Sequence, residues 1–408
     1  MTAINNGDVA FMVIATVLVF VMTPGLAFFY GGLVEKKNSL TMMMYSFIAI
    51  GVVTVMWVFG GFSLVFGNDI GGVIGNPLQY FMLNGVDFSV NATYGSHIPF
   101  LMFFMYQLMF AIITAPLMTG AFANRMNIGG WIKVLIIWMI LIYFPVAHWV
   151  WGSGFLEKMG FVDYAGGTVI HITAGFGALA AVFFLGKRAV KPKKGPGNIG
   201  LVSLGGAILL FGWFGFNSGG ALASGQTAAI AFTNTGIAAG FATIVWVIIC
   251  YIKEKHFSLL EVLVGAVAGC ATITPCAGYV TPQGSVAIGI IAAIICYLCV
   301  AFVKKMKWDD ALDVWGVHGM GGFTGTLLIG IFASSAVNGV QAGIHQFLIQ
   351  LFGAVLVAIY SFVVTLIVLK IADATGTIRV SKETQEIGLD KVLSVSYTHL
   401  RAHETLRH

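Results

Sequence analysis

The sequence predicts an all-α polytopic membrane protein of eleven transmembrane helices that carries an inverted-topology repeat, and three observations lead there. Hydrophobic residues make up 58% of the 408-residue chain and charged residues 9%, with a mean hydropathy of +0.93, whereas a soluble domain has about 25% charged residues. Apolar runs recur along the length and leave no room for a separate soluble core, so we expect one integral domain. An Asp-x7-His spacing also occurs twice, 147 residues apart, at Asp163…His171 and Asp310…His318. Each copy continues as His-x3-Gly-Phe, through Gly175-Phe176 and Gly322-Phe323.

A spanning helix needs about 20 predominantly apolar residues. Eleven stretches qualify, at approximately 9–32, 41–66, 98–121, 130–151, 165–186, 198–219, 226–252, 258–280, 284–303, 313–334 and 342–371. The first has no basic residue ahead of it and no clear small-residue cleavage site, so it reads as a spanning helix rather than a signal peptide. The basic residues then fall in alternate connections. Lys36 and Lys37 follow the first run, Arg125 and Lys133 flank the gap after the third, and Lys187, Arg188, Lys191, Lys193 and Lys194 follow the fifth. Lys253 and Lys255 follow the seventh, Lys304, Lys305 and Lys307 the ninth, and the tail begins at Lys370; the opposite connections hold only Lys158. The positive-inside rule then puts the N-terminus outside and the C-terminus inside, which requires an odd number of spans. The net charge of +5 reflects this topology and gives no reason to expect a nucleic-acid partner.

The same charge map puts Asp163 at the external start of the fifth span and Asp310 just before the cytoplasmic start of the tenth, as an inverted repeat requires. Eight residues at 1.5 Å rise is about 12 Å, against about 15 Å for half the hydrocarbon core. His171 and His318 should therefore meet near the midplane from opposite faces. A histidine within a spanning helix is a functional-site hypothesis by default. The competing readings are a helix–helix hydrogen bond between buried polar groups and axial ligation of a haem. No further intramembrane histidine pair supports the haem.

The other chemistries find little support. Cys250, Cys270, Cys276, Cys296 and Cys299 lie in or beside spans, and Cys296-x2-Cys299 has no second pair to complete a zinc site. They read as small apolar fillers, with no metal or cofactor expected. No Walker-type phosphate loop is present, and nothing indicates an enzyme.

Four segments carry a resemblance to the ammonium transporter (Amt/Mep/Rh) family, of the prokaryotic Amt type. They are Asp163-Tyr-Ala-Gly-Gly-Thr-Val-Ile-His171 ending in Gly186-Lys187-Arg188, Phe110-Ala-Ile-Ile-Thr114, Gly212-Trp-Phe-Gly-Phe-Asn217, and Asp313-Val-Trp-Gly-Val-His318-Gly319. The likeness runs from about residue 7 to about 390. It implies ammonium, ammonia and methylammonium transport across the cytoplasmic membrane by two inverted five-helix repeats, about 9–186 and 198–334, and a last helix at about 342–371. It also implies a homotrimer with one pore per subunit. A cytoplasmic tail follows at 372–393, and the resemblance implies a PII-type nitrogen regulatory protein as a partner at that face.

Residue by residue, the resemblance gives Trp151 the part of the external recruitment tryptophan and makes Phe110 and Phe216 a stacked phenyl gate below it. Tyr106 borders the vestibule, Asp163 is the essential acidic residue, and His171 and His318 are the twin pore histidines. Trp151 could equally belong to an interfacial aromatic belt. A cation over an indole face is worth about 2 kcal/mol once desolvated. Asp163 has a structural role open to it, capping the fifth span through the amides of Gly166 and Thr168. At Gly220 many relatives have a serine that helps bind the cation. Restoring it should tighten affinity by up to about tenfold, unless glycine is needed for its backbone angle or Ser218 already supplies the oxygen.

Burying an ion costs several kcal/mol even after relaxation. Deprotonating an alkyl-ammonium at pH 7 costs under about 5 kcal/mol. Loss of the proton is thus the cheaper route through an apolar constriction, where neutral imidazoles can both donate to and accept from ammonia. A sensor built on the transporter fold is the alternative output. Residues 394–408 depart from the family's tail and resemble a translated sequencing-adapter read-through; their three histidines do not read as a metal tract.

Overall fold

The computed structural model describes residues 4–190 and 195–394. Lys191, Lys193, Lys194 and the 395–408 stretch of the expected read-through lie outside the described residues. Among the described residues, nine helices are long and apolar enough to cross a membrane. They are Asn6–Leu33, Lys36–Phe66, Phe100–Gly120, Ile128–Lys158, Gly167–Leu185, Ile199–Ala221, Gln226–Glu254, Pro282–Met306 and Ile344–Ala374. The eighth and tenth predicted spans are the exceptions to that length and apolarity. Leu259–Ile273 stops after 15 residues, and Met320–Phe332, entered through a π-helical turn at Trp315–Gly319, is diluted by glycines and by His318.

Burial orders the bundle into an inner and an outer set. Within their most apolar windows, 83% of Gly167–Leu185 and 78% of Phe100–Gly120 are buried, against 28% of Gln226–Glu254. The first two therefore form the centre. The last turns residues such as Phe232, Ile244, Ile248 and Ile252 outward, as a helix facing lipid or another protein does. The chain is thus mostly helical and crosses the bilayer repeatedly.

Between the second and third long helices, residues 67–99 form two small antiparallel pairs, Asp69–Ile70 with Ile74–Gly75 and Val90–Asn91 with Gly95–Pro99. They sit at the Asp163 end of the bundle. Trp149 Nε1 donates to the Val73 carbonyl at 2.9 Å, and Asp69 receives Lys158 Nζ at 2.5 Å and lies 3.0 Å from His148 Nε2. At the opposite end the tail after Ala374 folds back over the connections near residues 34–41, 121–133 and 186–190.

Candidate functional site

Both histidines are placed by the same local construction. Asp163 Oδ1 accepts from the amides of Gly166 at 2.9 Å and Gly167 at 2.7 Å, and Oδ2 from Thr168 at 2.7 Å and Val169 at 3.0 Å. This is a fuller cap than the two amides expected from sequence. With both oxygens engaged in a buried pocket, the carboxylate orients the helix start and places negative charge there; it has no free edge for a ligand. Asp310 repeats the device at the other end, accepting from Val314 N at 3.1 Å and Trp315 N at 2.8 Å. Each cap leads into a π-helical turn, Gly167–Ile172 and Trp315–Gly319, and each turn carries the histidine. Such wide turns inside helices concentrate at functional sites.

The two helices cross at glycines. A Cβ on Gly175 would lie 2.2 Å from Gly319 Cα, and one on Gly322 would lie 2.4 Å from the Gly167 carbonyl oxygen and 2.7 Å from His171 Cβ. The duplicated glycine of the motif is therefore a close-approach residue. The duplicated phenylalanines meet as well, with Phe176 and Phe323 centroids 6.5 Å apart. This crossing brings His171 Nδ1 to 3.3 Å from His318 Nδ1, with ring centroids 5.2 Å apart. One Nδ1 must then carry a proton and the other a lone pair, so the pair holds opposite tautomers when both rings are neutral. His171 Nε2 is buried without a protein partner.

Aromatic residues close the Asp163 side of the pair. Phe110 and Phe216 lie 4.5 Å apart between centroids at 44°, tilted rather than stacked as the resemblance implied, an arrangement that avoids face-to-face quadrupole repulsion. Tyr106 Oη donates to the Phe216 carbonyl at 2.9 Å and packs on Phe110 at 4.8 Å. Trp151 Nε1 donates to the Asp163 carbonyl at 2.8 Å, and its ring stands edge-on to Phe110 at 6.1 Å. The hydrogen bond and ring contact fix the orientation of the indole beside Asp163 and Phe110.

Three cavities run in series through these groups. One of about 300 Å³ at the Asp163 end is lined by Tyr106, Phe110, Trp151, Asp163 and Gly220 among others. A constricted space of about 20 Å³ is lined by Phe216, His171, Trp213 and His318. A third, of about 220 Å³ at the Asp310 end, reaches His318 from the far side and shares Tyr30 with the constriction. Every site residue expected from sequence lies along this line.

Two members of it were not singled out from sequence. Trp213 stacks at 5.6 Å on His171 and 6.4 Å on His318, and is held by Nε1 donating to Thr274 Oγ1 at 2.9 Å. Its spacing of three from Phe216 puts both on one helical face, a signal that was available. Tyr30, whose Oη donates to the Leu117 carbonyl at 3.0 Å, comes from the first helix, and nothing in its local sequence marks it. Among the described residues, no three His, Cys, Asp or Glu are grouped to hold a metal ion.

A polytopic helical bundle with a cavity at each end and a constriction between them has the architecture of a membrane transport protein. The chain belongs to the Ammonium Transporter Family, whose model matches residues 10–394. It is 43% identical over 392 residues to the ammonium transporter Amt1 of Archaeoglobus fulgidus, covering 95% of this chain and 97% of that one. It is also 43% identical over 396 residues to an ammonium transporter of Aquifex aeolicus, covering 96% and 92%. Among solved structures, Candida albicans Mep2 superposes with a TM-score of 0.87 at 35% identity, covering 93% of this chain and 87% of that one. A protein described as a sensor Amt protein gives 0.88 at 29% identity, covering 95% and 98%. These relatives are named as transporters or as an Amt sensor, and the chain is not an enzyme.

Proposed function

We propose that the chain moves ammonium across the cytoplasmic membrane by recruiting the cation at the Trp151 cavity, removing its proton, and passing ammonia between Phe110 and Phe216 and along His171 and His318. The observation that carries this reading is the buried histidine pair in the narrow space between two larger cavities. Trp151, Phe110 and Tyr106 form an aromatic wall suited to a monovalent cation, with the capped Asp163 adding a field rather than a ligand. Below Phe216 the lining is apolar apart from ring nitrogens and Tyr30, so an ion would lose its hydration without replacement. Ammonia can instead donate to one imidazole and accept from the other.

In this reading the N-terminus is outside and the tail cytoplasmic, so the Trp151 cavity is the outer one. Leu259–Ile273 and Met320–Phe332 complete eleven crossings, arranged as inverted halves at about 9–186 and 198–334 with a last helix at about 342–371 and a tail at 372–393. Outward apolar faces are available for a homotrimer, and the cytoplasmic loops for a PII-type regulatory protein.

Solid-supported-membrane current on an ammonium jump tests the core of this. His171→Ala and His318→Ala should each reduce the ammonium-dependent current strongly or alter its ion selectivity while the protein still folds. Wild-type flux and selectivity in both single variants would sink the reading.

A further inference from the structure

Three carboxylates stand near the mouth of the outer cavity, and two are already committed. Asp163 spends both oxygens on four backbone amides. Asp69 is bound by Lys158 Nζ at 2.5 Å and lies 3.0 Å from His148 Nε2. The third is Glu157, which lines the same cavity of about 300 Å³ as Tyr94, Trp151 and Phe110. Its Oε2 accepts from the Ser153 amide at 2.6 Å, which fixes the carboxylate in place. Among the described residues its Oε1 has no hydrogen-bond partner. The neighbouring lysine does not cover it, because the Lys158 ammonium is drawn onto Asp69.

We propose that Glu157 is a specificity-determining residue of the outer cavity, a carboxylate that collects a hydrated monovalent ammonium-type cation and hands it to Trp151. The inference rests on the reading of this cavity as the recruitment site. The cavity has room for about ten waters at roughly 30 Å³ each, so a cation can wait there with part of its shell intact. A single negative charge in a concave, partly apolar mouth concentrates such cations, while the aromatic wall beneath it draws them inward. Strong cations such as divalent ions gain from the carboxylate but keep their water and are stopped at Trp151. Neutral amines gain nothing from it. Selection is thus divided between a charge at the rim and a ring face further in.

The test compares wild type, Glu157→Gln and Trp151→Leu, each full length in proteoliposomes, by current against ammonium concentration. Each is measured at about 10 mM ionic strength, where the Debye length is about 30 Å, and at about 1 M impermeant salt, where it is about 3 Å. Glutamine keeps an acceptor for the Ser153 amide and removes only the charge. We expect Glu157→Gln to raise the half-saturating concentration about three- to tenfold at low ionic strength, with the gap closing at high salt. Equal half-saturation at low ionic strength overturns the inference, as does a gap that salt leaves unchanged. The wild type alone provides a second measure, since its own half-saturation must rise with salt; a flat response overturns the inference without any variant. If the wild type carries no ammonium-dependent current, the recruitment reading falls and this inference with it. If the wild type saturates, Trp151→Leu shifts and Glu157→Gln does not, the inference alone falls.

Discussion

At the scale of the residue, Gly220 shows how a family pattern and local space can disagree. Its backbone angle is not the left-handed one that favours glycine, so conformational freedom does not explain its presence. Space does: a Cβ there would lie 2.8 Å from the Tyr164 carbonyl oxygen and 3.0 Å from the Tyr164 ring. That carbonyl cannot swing aside easily, because the Tyr164 amide donates to the Pro275 carbonyl at 3.0 Å and the Asp163 cap begins one residue earlier. The serine that the resemblance implies at this position would therefore meet backbone before its hydroxyl could help a cation. Ser218, whose hydroxyl donates to the Phe214 carbonyl at 2.6 Å and keeps its lone pairs, does not line that cavity and so offers no simple substitute there. Gly220→Ser should cost about 1–3 kcal/mol, as overpacking of a filled site does, and should not tighten ammonium affinity. A lowered melting temperature with an unchanged or weaker half-saturation is the expected result; a stable variant that binds tenfold tighter would restore the missing-hydroxyl explanation.

At the scale of the element, the Asp163 cap was legible from spacing, and so was the likeness of the two histidine segments. Asp163 lies eight residues before His171 and Asp310 eight before His318; both carboxylates accept helix-start amides, the second a cap not expected from sequence, and the two rings meet. The π-helical turns were not legible: an Asp-x7-His spacing is the same whether the intervening turn is α or π. The short helix at Leu259–Ile273 was overrun because apolar residues continue past its end into a turn at 274–279, although Pro275 marks the stop. The 67–99 connection is the other element that composition leaves blank, and its anchor is Asp69. The Lys158 ammonium first, and then His148, hold the Asp69 carboxyl below its ordinary 3.8, at about 2. A group lowered in the folded state stabilises above its unfolded value and loses that contribution as pH falls through the folded one. The anchor should therefore hold fully near neutral pH and fade between about 4 and about 2. Asp69→Asn should lower the melting temperature near neutral pH, with the difference from wild type narrowing across that window. A difference independent of pH would mean that other contacts, such as the Trp149 hydrogen bond to the Val73 carbonyl, hold the connection instead.

At the scale of the whole molecule, the two ends of the bundle are finished by different means. The Asp163 end is closed by a connection between consecutive helices, whereas the opposite end is tied by the tail, which links segments as much as 351 residues apart. Lys133 Nζ donates to the Thr375 carbonyl at 3.1 Å, the Ala189 amide donates to Gln385 Oε1 at 2.9 Å, and the Leu389 amide donates to Asn38 Oδ1 at 2.9 Å. The deepest tie is Asp390, whose buried carboxylate accepts from the Leu40 amide at 3.0 Å and the Thr41 amide at 2.7 Å. Those amides belong to the start of the second long helix, so a residue from the tail caps a helix near the beginning of the chain, with charge and helix dipole acting in the same sense. Removing a cap of this kind costs about 1–2 kcal/mol, and 1–2 kcal/mol changes an open population by a factor of about 5–30. Asp390→Ala should therefore speed tryptic cleavage at Lys382 and Lys391 in the native protein by about that factor, while Asp390→Asn, which keeps one acceptor, should fall between. The helical bundle itself should be untouched, because none of these bonds reaches the histidine crossing. Cleavage at the wild-type rate in Asp390→Ala would show that the remaining polar ties hold the tail without this cap.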